Sequence, residues 1–508
     1  MTEPVHGRAV RPLLLALLLA GCATAPTAPL PAAVPGGAGD SRPPVALQQD
    51  VPPDGPSGHV SVAVPAPPVH WWGREPRDVA ARDLAALWSL PLLRVDELGR
   101  LRWGLAVAAR ELQTPDGWAV EVDLAAGEWS DRTPVTARDV VATAEALAAA
   151  RPAEWIAFQG AEVLDDQTVR LDFDRPFARW WALLSDVPGV LPAHVLERDG
   201  LSAWDDAVPV SGGPFIQSSR QVDVASGWSA HVAGPLGPPR LGTLDVLVVP
   251  DVDVALGLLG DAQVDLVLGH VALDPVSRAS ELGDVAVGLP FGGSGIELVW
   301  EPAGLGGSGL RRSAAAVLAP EPFVAAVLRD TGRNPSGPLP GTLPPPVPDG
   351  SIDSASARVA VDRTVESLGL LTRLVRRDLA RAGLDVTFLR VAPPAHLLSA
   401  PEVDGSLLVR RRGPVPSASA ALARAGLDPG PGVRADAAGR EATSASGSGD
   451  PAPGAWQEVA GLLADAGASA PLADVAPVHV WDPARLTGVT PSAWPGLALW
   501  DVARWQVP

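Results

Sequence analysis

The chain has no lysine and no tyrosine, and only one cysteine and one methionine in 508 residues. With a single cysteine no internal disulfide can form, and no cysteine-rich metal cluster can assemble. The histidines (His6, His59, His70, His194, His231, His270, His396 and His479) are scattered, without an HExxH or a paired zinc spacing. No metal or other cofactor is expected. A GxSxG elbow is also lacking, so nothing points to an acyl-transfer nucleophile or to an enzyme. Basic residues number 39 against 58 acidic ones, for a formal charge of −19. A chain this acidic repels phosphate backbones, which argues against nucleic acid as a partner. The missing lysine and tyrosine, beside abundant Ala, Gly, Pro and Arg, read as compositional bias and not as function. No uninterrupted apolar run reaches the roughly 18 residues that a spanning helix needs.

What is present is ample apolar material, 47 % of residues, with 19 % charged, which is the balance of a globular chain. Its length exceeds what one core serves, so two or more domains are expected. Residues 1–22 read as a signal segment. Arg8 and Arg11 precede a short apolar run from Leu13 to Leu19, which is too short to span a bilayer. Leu19-Ala20-Gly21-Cys22 resembles a bacterial lipobox, whose thiol accepts a diacylglyceryl group. Cys22 is thus the expected lipidation site, and the mature chain is expected on the outer face of the cell membrane. Residues 23–56, rich in Pro, Ala and Gly, read as a tether.

Regular patterning begins at His59–Val64, an alternating strand stopped by Pro65. Arg82–Leu90 reads as a helix and Trp118–Leu124 as a strand. Thr136–Ala150 reads as a helix with Thr136 at its N-cap and Asp139 three residues on. Asp165-Asp166 marks a hairpin turn. Leu244–Val249 and Val252–Leu259 read as strand then helix, and so do Ile296–Trp300 and Leu310–Leu318. A Pro- and Gly-rich break follows at Asn334–Ser351. Ser367–Ala382 is an amphipathic helix and Asp385–Val391 a strand, and Asp428–Gly454 is of low complexity. A helix at Trp456–Ala466 and a strand at Val478–Trp481 complete an α/β pattern with mixed sheets.

Several segments, in order, resemble the family 5 extracellular solute-binding proteins, which include oligopeptide, dipeptide and nickel binders. The best match is Gly127-Glu128-Trp129-Ser130-Asp131-Arg132-Thr133-Pro134-Val135-Thr136-Ala137-Arg138-Asp139-Val140, a turn followed by a capped helix. Its notable departure is Arg132, where the family usually has Gly. Leu191-Pro192-Ala193-His194, Ser211-Gly212-Gly213-Pro214-Phe215, Leu310-Arg311-Arg312-Ser313-Ala314 and Leu486-Thr487-Gly488-Val489 are similar to further family stretches. The resemblance implies a two-lobed periplasmic-binding-protein-like fold with a hinge. Lobe I would cover 57–299, with an extra subdomain at about 87–210. Lobe II would cover 300–474, with a return to lobe I at 475–508. Crossings are expected near Glu297–Glu301 and Leu472–Val478. Such a protein, expected as a monomer, captures a small solute or peptide and passes it to ABC permease subunits. A lipoprotein that keeps the fold but serves as a sensor or surface interaction protein is the alternative.

Gly304-Leu305-Gly306-Gly307-Ser308-Gly309 matches GxGxxG literally, but the resemblance puts it in a loop of the second lobe. Seventeen Trp against seven Phe make indoles the main aromatic resource, most of them for the core. Trp71 and Trp72 follow the first strand, where the family places cleft loops, and Trp300 lies at the expected crossing. These three are candidate ligand contacts. Peptide-binding relatives tend to carry an acid-bearing stretch, for the ligand's ammonium, where this chain has Leu407-Leu408-Val409-Arg410-Arg411-Arg412-Gly413. An ammonium closed in without a counter-ion would cost about 3–5 kcal/mol. Arg410, Arg411 and Arg412 are instead candidates for an anionic group held by bidentate hydrogen bonds. A solvated basic run on a strand edge is the other reading of the same residues.

Overall fold

The computed structural model describes most of residues 55–333, 355–391, 403–411 and 453–508, together with Leu422 and Pro431. Cys22, the tether up to residue 54, the 334–351 break, nearly all of 428–452, and Gly304, Gly306 and Gly307 of the GxGxxG segment lie outside the described residues.

In chain order the first half comprises β1 (His59–Val64), α1 (Val79–Trp88), β2 (Leu93–Val95), β3 (Leu101–Trp103), β4 (Ala106–Thr114), β5 (Gly117–Leu124) and α2 (Ala137–Ala150). It continues with β6 (Phe158–Asp165), β7 (Thr168–Phe173), α3 (Ala193–Asp199), β8 (Phe215–Gln221), β9 (Ala225–Ala230), β10 (Thr243–Val248), α4 (Val252–Gly260), β11 (Leu266–His270), α5 (Pro275–Ser280) and β12 (Ala286–Gly288). The second half comprises β13 (Ser294–Trp300), α6 (Ser308–Ala316), α7 (Pro320–Phe323), β14 (Gly332–Arg333), β15 (Ala355–Asp362), α8 (Glu366–Arg381) and β16 (Leu384–Val391). It ends with β17 (Gly405–Arg411), α9 (Pro453–Ala466), β18 (Ser469–Val475) and β19 (Val478–Trp481).

Two mixed sheets organise these elements. The first has the order β12-β19-β11-β1-β10-β9-β8, with β1 parallel to both β10 and β11. The second has the order β14-β18-β13-β17-β15-β16. A separate four-stranded antiparallel sheet, β4-β5-β7-β6, falls within the 87–210 stretch expected as an extra subdomain. In β5 the alternation predicted for this stretch is met: Trp118, Val120, Val122 and Leu124 are all buried. They join the first-lobe core, in which Trp88, Trp129, Trp180, Trp204, Trp228 and Trp505 are fully buried. A second core, built on Ile296, Leu298, Val359, Leu371, Val375 and Leu407, belongs to the second sheet.

Local chemistry explains the helix starts. Asp139 Oδ2 accepts from the Thr136 backbone N–H (2.8 Å), closing the expected box at the start of α2. Asp251 caps α4 by accepting from the N–H groups of Asp253 and Val254. The first helix lies earlier than its apolar period suggests, at Val79–Trp88, because Leu90 is held extended in bridges to Gly189 and Val190.

The sheets are joined at two places. β12 pairs in the first sheet and β13 in the second, so the first crossing falls between Gly288 and Ser294. The second falls between Val475 of β18 and Val478 of β19. The first crossing therefore precedes the expected Glu297–Glu301. The six residues of β13 before Trp300 are already flanked by both β17 and β18, and Trp300 itself by β17.

Candidate functional site

Both crossings fix which end of each sheet faces the other lobe. In the first sheet Val478, the first residue after the return, pairs with His270 at the end of β11, and His479 pairs with Gly288. The crossing end is thus the carboxyl end of the parallel strands β1, β10 and β11, the end at which α/β sheets place their ligands. In the second sheet Ser294 pairs with both Val475 and Arg411, so the crossing end is where β13 begins and β17 ends.

Trp71 and Trp72 follow β1 at the crossing end of the first sheet. The Trp71 backbone N–H donates to Trp204 O (2.9 Å), and its ring packs on Trp228 with centroids 5.6 Å apart at 60°. Trp71 is only 3 % exposed, yet it forms one wall of a recess of about 20 Å³. Trp72 is tied down further. Its indole N–H donates to Asp205 Oδ1 (2.8 Å), the Arg151 guanidinium lies 5.2 Å above its ring, and Arg151 Nη2 donates to Trp72 O (2.9 Å). Both indoles therefore stand on a rigid wall between the sheet and the extra subdomain.

Arg410 and Arg411 pair, through the backbone, with Gly295 and Ser294, so the register brings them to the crossing end of the second sheet. β17 lies between β13 and β15, but β15 pairs only with Gly405, Ser406 and Leu407, so Arg410 and Arg411 are flanked on the β13 side alone. Arg412 lies outside the described residues. Trp300 is not brought to this region. It pairs with Gly405 at the opposite end of β13, about 20 Å along the strand from Ser294 at the usual rise. There it is 2 % exposed within the second core, a placement that follows from the earlier crossing.

Sequence reasoning missed two histidines that tertiary pairing brings together. His270 and His479 lie on adjacent strands at the crossing end of the first sheet, and both are buried. His270 Nε2 contacts Val249 O (2.7 Å), and burial pushes its pKa below the ordinary histidine value. Nothing local in the sequence signals this, because their separation along the chain is long. Among the described residues no group of three or more His, Cys, Asp or Glu could hold a metal ion, and no helix is long and apolar enough to cross a membrane.

The most recognisable sequence stretch proves to be a brace. Asp139 Oδ1 accepts from Ala193 N–H (2.7 Å), and Oδ2 accepts from the Trp129 indole (3.2 Å) as well as from Thr136 N–H. His194 Nε2 meets Asp131 Oδ2 at 2.7 Å. Burial works to raise the Asp131 pKa, but hydrogen bonds from Thr133 and the His194 contact outweigh it and hold it low. The Trp129–Asp139 and Leu191–His194 stretches thus interlock and brace the fold. Arg132, the departure from Gly, sits at φ 70°, in the left-handed region that Gly occupies without strain.

Solved structures share this architecture. An oligopeptide-binding protein, AppA of Bacillus subtilis in complex with a nonapeptide, aligns with TM-score 0.75 at 16 % identity, covering 89 % of this chain and 99 % of its own. NikZ of Campylobacter jejuni, in complex with Ni(L-His), aligns at 0.72 and 16 %, covering 89 % and 100 %. A dipeptide-binding protein of Pseudoalteromonas sp. SM9913, in complex with Met-Leu, gives 0.72 and 15 %, with the same coverage. At these identities the likeness shows the fold, which is the two-lobed periplasmic-binding-protein type. No curated protein matches the chain by sequence. The model of the bacterial extracellular solute-binding proteins, family 5 (middle), matches residues 106–360, just over half of the 508. The chain belongs to the family 5 bacterial extracellular solute-binding proteins.

Proposed function

We propose that this chain is a lipid-anchored, extracytoplasmic protein that captures a small solute between its two lobes and delivers it to the permease of an ABC importer. The observation that carries this reading is that two crossings link the sheets, at 289–293 and 476–477, with candidate contacts at the crossing end of each. Short paired connections of this kind suit hinge closure, in which a few residues absorb the rotation. No covalent step is needed. A ligand drives closure only through its higher affinity for the closed state. Cys22 would carry the lipid, and the tether to residue 56 would hold a monomer off the membrane.

Trp71 and Trp72 are assigned to the ligand wall of the first lobe, and Arg410, Arg411 and Arg412 to an anionic group of the solute from the second. Trp300 is left to the core. The solved relatives hold a nonapeptide, Ni(L-His) and Met-Leu, so peptide-like solutes are the first class to try. The arginine run adds small anions to that list.

The test is thermal unfolding of the purified protein against panels of peptides, sugars, amines and anions. A ligand at about a hundredfold excess over its Kd stabilises the native state by about 2.7 kcal/mol. Stabilisation by one chemical class, reduced in an Arg410→Gln/Arg411→Gln variant if that class is anionic, supports the reading. A folded protein that no class stabilises overturns it in favour of a sensor or interaction role.

A further inference from the structure

The recess beside Trp71 has a chemistry of its own. It lies where β1 and β10 end, between the turn carrying Pro68 and Trp71 and the tip of the β8–β9 hairpin. Trp71, Pro68, Val224 and Val248 give it mostly apolar walls, with Gln221 and Ser226 among the polar lining. At about 20 Å³ it exceeds what one water needs, and it has room for a methyl or ethyl branch. Two charged residues on the hairpin, Arg220 and Asp223, are among those that line it, and both are exposed. Among the described residues neither takes part in an ion pair. Val222 and Val224 at the same tip are 60 % and 48 % exposed, so the charges sit in an apolar surround.

A guanidinium and a carboxylate flanking a small apolar pit match one kind of group: a carbon bearing a carboxylate, an ammonium and a short aliphatic branch. We propose that this recess is a subsite for a small aliphatic α-amino acid zwitterion. Arg220 takes the carboxylate in planar fashion, Asp223 supplies the counter-ion for the ammonium, and the branch enters against Trp71. This subsite rests on the solute-binding reading and deepens it. It places in the first lobe the acid that the Arg410–Arg411 stretch of the second lobe does not offer.

Ligand-observed NMR titration of the purified protein with a matched set of probes tests it. 2-Aminobutyrate carries all three features, butyrate lacks the ammonium, propylamine lacks the carboxylate, and glycine lacks the branch. Wild type should bind 2-aminobutyrate about tenfold more tightly than any of the other three, the usual order for one lost charge-assisted contact or one buried ethyl group. Arg220→Gln should abolish the preference over propylamine, and Asp223→Asn the preference over butyrate. Ala225→Leu, which fills the recess, should bring 2-aminobutyrate down to the affinity of glycine. Arg220 and Asp223 are exposed, so those two variants do not disturb the core. Equal affinities across the probes, or preferences unchanged in the variants, overturn the subsite. If 2-aminobutyrate fails to bind while another solute stabilises the protein, only the subsite falls. If no solute binds at all, the solute-binding reading falls with it.

Discussion

Asp139 offers a quantitative test of how the extra subdomain is held. Its carboxylate is 4 % exposed and accepts four hydrogen bonds, from Ala193 N–H, Thr136 N–H, the Trp129 indole and, at 3.4 Å, the Thr136 hydroxyl. Hydrogen bonds to a charged group contribute about 1.5–3 kcal/mol each when counted singly. Burial, the largest influence on this carboxyl, raises its pKa, so the cost of keeping the charge dry offsets part of that sum. Truncation in Asp139→Ala leaves these donors facing a small void and opens the start of α2. We expect a loss of about 3 kcal/mol. Asp139→Asn keeps the shape and one acceptor oxygen but turns its amide toward a donor. Its loss should be smaller, about 2 kcal/mol. Urea unfolding followed by tryptophan fluorescence measures both, and only the transition of the first lobe and its subdomain should move, since Asp139 has no part in the second core. A loss below about 1 kcal/mol for Asp139→Ala would refute the claim that this network braces the subdomain.

Burial pushes the Asp501 carboxyl up to about 7, although Trp505 Nε1 (2.9 Å) and Thr490 N–H (2.5 Å) donate to it. Between about pH 4 and 7 the folded chain therefore holds a proton that the unfolded chain has released, and stability falls as pH rises, by about 4 kcal/mol across the window. Asp501→Asn should flatten that slope in denaturation curves taken from pH 4 to 8. Arg132→Gly relieves a left-handed backbone at an exposed turn and should raise stability by about 0.5 kcal/mol, the strain relieved being partly offset by a freer unfolded chain. A Cys22→Ser chain should be labelled no longer by radioactive fatty acid in cells and should leave the membrane fraction. Continued labelling would remove the lipid anchor from the account.

Much of the fold was legible because it is written locally. The β1 alternation, the capped start of α2, the turn at Asp165-Asp166 between β6 and β7, and the β10–α4 succession all match the described elements. β4 was not legible, since Ala106–Thr114 is rich in Ala, Arg, Glu and Gln, and only its pairing with β5 makes it a strand. Pairing at long range also decided the site. The arginine run was visible as composition, but its place beside Ser294 at the crossing end depends on the pairing of β17 with β13. Trp300 was misplaced for the same reason, because the apolar period from Ile296 does not reveal that the strand has crossed before Ser294. The recess was invisible in sequence, since Trp71 and Arg220 meet only through the order of β1, β10, β9 and β8.

The central claim is that two lobes close on a solute. Small-angle X-ray scattering of the purified protein, alone and with a saturating ligand from the thermal panel, tests it most directly. The account predicts a smaller radius of gyration with ligand, and a scattering curve that moves from an open to a closed two-lobed particle. A ligand that binds tightly while the curve stays unchanged would contradict it.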